Sequence, residues 1–382
     1  MKKVYFDSAA TSQVRDEVIS CMTNVLKNEF GNPSSTHSYG RSSKSILENC
    51  RKQIASHLNV TAPEIIFTSG GTEADNFIIN SCVRDLEVTR IITSRIEHHA
   101  VLYAVQQLEK YQNIEVEYVT HGTCGTVDYE GLEQLLQASE KKTLVSLMHV
   151  NNEIGTILDI KRVAKLCKSN NALFHSDTVQ SVGHFELDFS EVPIDFAVAA
   201  AHKFHGPKGA GFAFVRKNTG LQPLIFGGSQ ERGLRAGTEA VYAIAGMTEA
   251  LNIAYKNLAE EKAYIIDLKN YFKEKLTSEI AAIKFNGSCH DNKKSTYTLL
   301  NVCLPLPPEK AMMLLFQLDL KGIACSKGSA CQSGSSKGSH VLYEILPDED
   351  KGKPSLRFSF SSYNTKDEID YVVATLKEFM EN

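Results

Sequence analysis

Three residues carry most of the chemistry in this sequence: a lysine, an aspartate and a cysteine. Lys203 stands in Ala200-Ala201-His202-Lys203-Phe204-His205-Gly206-Pro207-Lys208-Gly209, directly after the apolar run Ile194 to Ala201. Lysines are seldom buried, and desolvation lowers the pKa of an amine, which favours imine formation with a carbonyl group. The ordinary alternative is a surface lysine that follows a strand. Upstream, the apolar strand Ala172 to Phe174 leads into Asp177-Thr178-Val179-Gln180. An acid after one strand and a lysine after a later one suit pyridoxal phosphate (PLP): the acid pairs with the ring nitrogen and the lysine forms the imine. Cys331 lies in Gly328-Ser329-Ala330-Cys331-Gln332-Ser333-Gly334, within a glycine- and serine-rich stretch from Cys325 to His340. Most cysteines are buried and inert. Cys331 has neighbours too small to bury it, and Lys327 and Lys337 favour its thiolate. Cys325 is the rival nucleophile.

A phosphate group also has a candidate cradle. Glu64 to Thr68 reads as a strand, Ser69-Gly70-Gly71-Thr72 as a turn, and Glu73 to about Cys82 as a helix. Glycines at a helix entrance let the backbone close on an anion, which the unpaired amides and the helix dipole then hold. Gly-Gly can equally be a plain connector, and no Gly-Lys-Ser/Thr follows to make a P-loop. Gly206-x-x-Gly209-x-Gly211 precedes a strand, so it does not serve as a dinucleotide fingerprint.

The elements that must position these residues alternate between strand and helix from about Val14 to Leu251, which predicts an α/β fold with a mostly parallel sheet. The strand candidates are Glu64–Thr68, Arg90–Ser94, Ile114–Val119, Thr143–Val150, Ala172–His175, Asp195–Ala199 and Gly211–Val215. In open α/β sheets the ligand sits beyond the carboxyl ends of such strands. Ala240–Leu276 reads as two long helices leading to a smaller α+β lobe, where strands near Thr298–Leu304 and Leu356–Ser359 flank helix Pro308–Leu318. The expected division is a large domain over 15–255, and a small one over 1–14 and 256–382 that carries the loop at about 325–340.

Bulk properties exclude several classes. The 382 residues are 42% hydrophobic with a formal charge of -4, an ordinary globular composition that gives no case for nucleic-acid binding. No apolar run is long enough to span a membrane, and Asp7 interrupts the start before a signal-peptide core could form. The 9 cysteines follow no disulfide-scaffold pattern, which points to a reducing cytoplasm. No C-x-x-C pair occurs and His98-His99 are adjacent, so no zinc site is expected.

Taken in order, several motifs resemble one family over nearly the whole length. They are Tyr5-Phe6-Asp7-Ser8-Ala9-Ala10-Thr11, Gly31 to Ser35, Thr68 to Ala74, Glu97-His98, His149 to Gly155, Asp177 to Gln180, Arg235-Ala236-Gly237-Thr238 and Leu356 to Ser359. The chain resembles the NifS/IscS-like cysteine desulfurases, PLP enzymes of aminotransferase class V with fold type I. This implies a large domain with a seven-stranded sheet. It implies Lys203 as the imine lysine, Asp177 as the ring-nitrogen partner and Gln180 as the hydrogen-bond donor to the ring oxygen. His98 would stack on the ring and move protons. Gly71, Thr72 and His202 match phosphate-contacting positions, and Thr238 a residue that reaches the phosphate of a neighbouring subunit, which implies a homodimer. Asn152 lies at the cofactor and, with Arg357, matches groups that hold the substrate carboxylate. A solvated edge-strand arginine is the plainer reading of Arg357.

The resemblance makes Cys331 the nucleophile that takes sulfur from L-cysteine as a persulfide, releasing L-alanine. It implies a long, mobile catalytic loop and sulfur-acceptor partners such as an iron–sulfur scaffold. The family usually has serine where this chain has Ala200, which predicts weaker PLP retention. Selenocysteine lyases and class V aminotransferases share the fold, and a non-enzymatic sulfur relay built on it is a further alternative.

Overall fold

Phe196-Ala-Val-Ala-Ala200 is buried along its whole length, as a strand covered on both faces must be. It belongs to a seven-stranded sheet in a computed structural model that describes residues 2–327 and 338–381. After β1 (Val4–Tyr5) come helices α1 (Asp16–Asn28) and α2 (Ser38–His57), then β2 (Ile65–Thr68) and α3 (Gly71–Asp85). The chain continues through β3 (Arg90–Ser94), α4 (His99–Gln112), β4 (Glu115–Val119), α5 (Tyr129–Gln137), β5 (Thr143–Ser146) and α6 (Ile160–Ser169). β6 (Leu173–Asp177), β7 (Phe196–Ala200) and β8 (Gly211–Val215) complete the sheet, whose order is β2-β8-β7-β6-β5-β3-β4. β8 pairs antiparallel with both neighbours, and the other pairings are parallel. Apolar clusters cover both faces, one including Phe174, Ala197 and Phe212, the other Ile66, Phe196 and Ala213.

Three of the boundaries that differ from the sequence reading bear on the site. β5 stops at Ser146 rather than Val150. Beyond it, Asn151 Oδ1 accepts from the amides of Glu153 and Ile154, so its side chain builds a turn in place of further ladder. β6 runs on to Asp177 and makes that acid its last residue. Helix α3 begins at Gly71, so the second glycine forms part of the first turn.

The second half opens with α7 (Val241–Lys256) and α8 (Leu258–Glu279), the two expected helices. β9 (Lys284–Asn286), β10 (Leu299–Cys303), α9 (Pro308–Leu320), β11 (Ile323–Ala324), α10 (His340–Ile345), β12 (Ser355–Ser359) and α11 (Lys366–Glu381) follow. β12-β10-β9 form an antiparallel sheet, and β1 pairs parallel with β11. These elements share a separate core. In it Phe6 packs on Phe272 and Phe360 with ring centroids 5.8 and 5.4 Å apart, drawing the start of the chain onto its last strand.

Candidate active site

β7 ends in one 3₁₀ turn, Ala201–Lys203, which carries the lysine away from the sheet. Lys203 Nζ donates to the carbonyls of Ala9 (2.5 Å) and Ala10 (2.9 Å), and Gln180 Nε2 donates to the same Ala9 oxygen (3.0 Å). The lysine and the glutamine thus meet at a turn contributed by the first residues of the chain. Asp177 lies at the end of β6, the neighbour of β7. Its Oδ1 accepts from Val179 N at 2.9 Å, and burial pushes its pKa up to about 6 against the pull of Lys203.

His98 caps α4, with Nδ1 accepting from Ala100 N at 3.2 Å. Burial first, then the charges of Lys203 and His340, lower its pKa to about 4, so the imidazole is neutral at neutral pH. His202 Nδ1 lies 3.2 Å from Thr11 Oγ1 and is lowered to about 4 by burial and by Lys203. His98, Asp177, Gln180, His202 and Lys203 are therefore brought into one region.

The helix entrance is packed too tightly for side chains. A Cβ at Gly71 would stand 2.7 Å from Val179 Cγ2, and one at Gly211 would stand 2.6 Å from Gly70 Cα. Gly70 itself has φ +149 and open space where its side chain would be. Gly71 thereby brings the first turn of α3 against the segment after Asp177. The first intrahelical bond runs from Ala74 N to Gly70 O (3.1 Å), so the amides of Gly71, Thr72 and Glu73 precede it. The Ala200 side chain approaches the same turn, 3.9 Å from where a Gly71 Cβ would be.

Arg357 lies on edge strand β12, yet it is 1% exposed, which overturns the solvated reading. Nη1 donates to Asn152 O and Nη2 to Asp7 Oδ1, both at 2.9 Å, while the buried Nε has no hydrogen-bond partner among the described residues. Asp7 Oδ1 also accepts from Ser326 Oγ at 2.9 Å. The sequence reading quoted Asp7 without giving it a role and passed over Ser326; the spacing of neither residue signals the contact.

A second pair was also missed. Glu231 and Arg232 have φ of 47° and 57°, and Gly233 has φ of 81°. Left-handed backbone costs a non-glycine residue about 1 kcal/mol or more. Arg51 holds Glu231 there bidentately, at 2.6 and 2.8 Å, and Phe67 N donates to the same carboxylate at 2.7 Å. The following segment is tied to α3 by Arg235, whose Nε reaches Glu73 Oε1 at 2.9 Å, and it leaves Thr238 exposed.

Cys331 lies outside the described residues. Cys325 follows β11 on the smaller core, where burial and the Asp7 carboxylate hold its thiol well above the usual range. Among the described residues no cluster of histidine, cysteine, aspartate or glutamate is placed to hold a metal ion, and no helix is long and apolar enough to cross a membrane.

The donor set fits PLP. Asp177 is a buried carboxylate suited to a cationic ring nitrogen, the entrance of α3 suits a phosphate, and Lys203 supplies an amine beside Asp177 and Gln180. Residues 4–372 match the family described as aminotransferase class-V. A cysteine desulfurase IscS of Dictyoglomus turgidum is 39% identical over 382 residues, covering 100% of this chain and 95% of that protein. A putative cysteine desulfurase, IscS 1 of Bacillus subtilis, is 38% identical, covering 97% of this chain and 96% of its own. A solved NifS-like protein superposes with a TM-score of 0.90 at 33% identity, covering 100% of both chains. The chain belongs to the class-V aminotransferase family, and within it to the cysteine desulfurases.

Proposed function

We propose that this chain is a PLP-dependent, homodimeric cysteine desulfurase that takes sulfur from L-cysteine onto Cys331 and releases L-alanine. What supports this most is the meeting of Lys203, Asp177, Gln180 and His98, together with an arginine whose buried Nε has no partner among the described residues. Residues 15–255 serve as the large domain, and 1–14 with 256–382 as the small one. Lys203 would hold PLP covalently and Asp177 its ring nitrogen. Gln180 would bond the ring oxygen, His98 would lie on the ring, and Asn152 would lie beside it. Gly71, Thr72 and His202 would hold the phosphate, joined by Thr238 from the neighbouring subunit. Bound PLP supplies an electron sink for charge that develops at the amino-acid Cα.

The chain's own groups do the rest. Arg357 and Asn152 grip the substrate carboxylate and fix which Cα bond faces the lysine. Lys203 Nζ takes the Cα proton and later returns one, while neutral His98 is able to accept another. Cys331 Sγ, as thiolate, attacks the substrate sulfur. An S–S bond forms as the Cβ–S bond breaks, and that electron pair stays with the substrate carbon. The glycines around Cys331 let it approach the substrate and then swing away with the persulfide. The sulfur passes to acceptor proteins such as an iron–sulfur scaffold in the cytoplasm. The test is Cys331→Ser, assayed for alanine and protein-bound persulfide. It should keep the yellow PLP absorbance and cysteine binding while turnover falls to background, and retained turnover would sink the assignment.

A further inference from the structure

Behind Asp177 lies a second buried acid that the mechanism does not use. Asp75 lies on α3, one turn beyond Gly71 and Thr72, and is 1% exposed. His175 stands two residues before Asp177 on β6, so strand alternation puts both side chains on one face, and it is 0% exposed. Asp75 Oδ1 and His175 Nε2 are 3.3 Å apart, and neither atom has a hydrogen-bond partner elsewhere among the described residues. The other ring nitrogen, Nδ1, faces Ser146 Oγ on β5 at 2.8 Å.

Two buried polar atoms that face each other and nothing else need one proton between them. An ionised Asp75 beside an Nε2–H would put a negative charge in a dry interior, next to Asp177 on β6 and Glu97 at the entrance of α4. A protonated Asp75 that donates to Nε2 leaves both partners neutral. Burial, with Asp177 and Glu97 nearby, holds Asp75 well above the usual carboxylate range, and burial lowers His175 to about 3. Both effects favour the neutral arrangement.

We propose that Asp75 is a positioning residue of the cofactor site: as a neutral acid it donates its O–H to His175 Nε2 and leaves the negative charge of this buried group on Asp177. His175 Nδ1–H then donates to Ser146 Oγ, which fixes the tautomer. The same bond ties α3, whose first turn faces the phosphate, to the strand that carries the ring-nitrogen acid. The proposal rests on the reading of Asp177 given above.

Infrared difference spectra of holoenzyme near neutral pH test the proton directly. Wild type minus D75N should show the carbonyl stretch of a protonated carboxylic acid, with E97Q run separately to assign any contribution from Glu97. If D75N removes no such band, Asp75 is ionised and the proposal is overturned. PLP affinity tests the positioning. D75N, whose amide donates to Nε2, should retain PLP within about twofold, whereas D75A, which strands Nε2, should weaken it about tenfold. D75A should also shift the pH titration of the PLP absorbance. Wild-type affinity and titration in D75A would overturn the positioning role. The infrared arm needs only the isosteric D75N and stands even if D75A does not fold. If the wild type binds no PLP, the reading of Asp177 fails, while the carboxylic-acid band still reports the Asp75 proton.

Discussion

Arg51 and Arg357 are both buried and each meets a carboxylate, but the two pairs differ in completeness. Arg51 places both terminal nitrogens on Glu231, adds Ile65 O at 2.6 Å and Glu48 through Nε at 3.3 Å, and lies 4.4 Å from the Phe67 ring. Every nitrogen has a partner, so nothing is left for a ligand. Arg357 meets Asp7 through one nitrogen only, and its buried Nε has no partner among the described residues. An unsatisfied buried donor is costly to keep in a finished structure. The first pair therefore reads as a brace and the second as a site that awaits another carboxylate.

Three single substitutions and one rescue test that contrast, and a further substitution tests the entrance of α3. Arg51→Met strands the Glu231 carboxylate and should cost about 3–5 kcal/mol of unfolding free energy, measured by urea titration; Glu231→Met in the same chain should restore most of it. If the single variant loses under about 1 kcal/mol, Arg51 is no brace. Arg357→Ala should lower kcat/KM for L-cysteine about a hundredfold while urea stability changes less than in Arg51→Met. A larger stability loss with kcat/KM intact would reverse the two roles. Asp7→Asn releases Arg357 from a competing charge, so KM should fall about threefold, the scale of a partly exposed pair. A rise in KM would mean that Asp7 orients the guanidinium instead of competing for it. Ala200→Ser, beside the α3 entrance, should tighten PLP about fivefold through one added hydrogen bond. An unchanged PLP dissociation constant would remove the idea that Ala200 weakens retention.

The sequence made the sheet largely readable because its strands are short apolar runs that stop at polar residues. Lys203 and Asp177 stood out for the same reason: each follows such a run directly. β1 and β11 have 2 residues each and β9 has 3, too few for any periodicity to register, and all three escaped notice. The two arginine pairs were illegible for another reason. Asp7 and Arg357 lie 350 positions apart, and Arg51 and Glu231 lie 180 apart. Only the tertiary fold brings them together, and no local pattern encodes that. The Asp75–His175 contact needed both the face of α3 and the alternation of β6. Resemblance supplied roles for Cys331 and Thr238 that local physics left open.

The pairing of the first residues with the last strand has a consequence for how the protein is made. Ser359 N donates to Phe6 O at 2.8 Å, and Ala9 N donates to Ser359 Oγ at 2.8 Å. The turn that holds the Lys203 amine thus leaves the ribosome well before its support, which lies 350 positions further along the chain. The large sheet can form while synthesis continues, but the lysine, the arginine and the turn between them cannot register until Ser359 has emerged. Contacts of such long sequence separation close late in folding. A nascent chain that stops short of Ser359 would carry the lysine without the geometry around it.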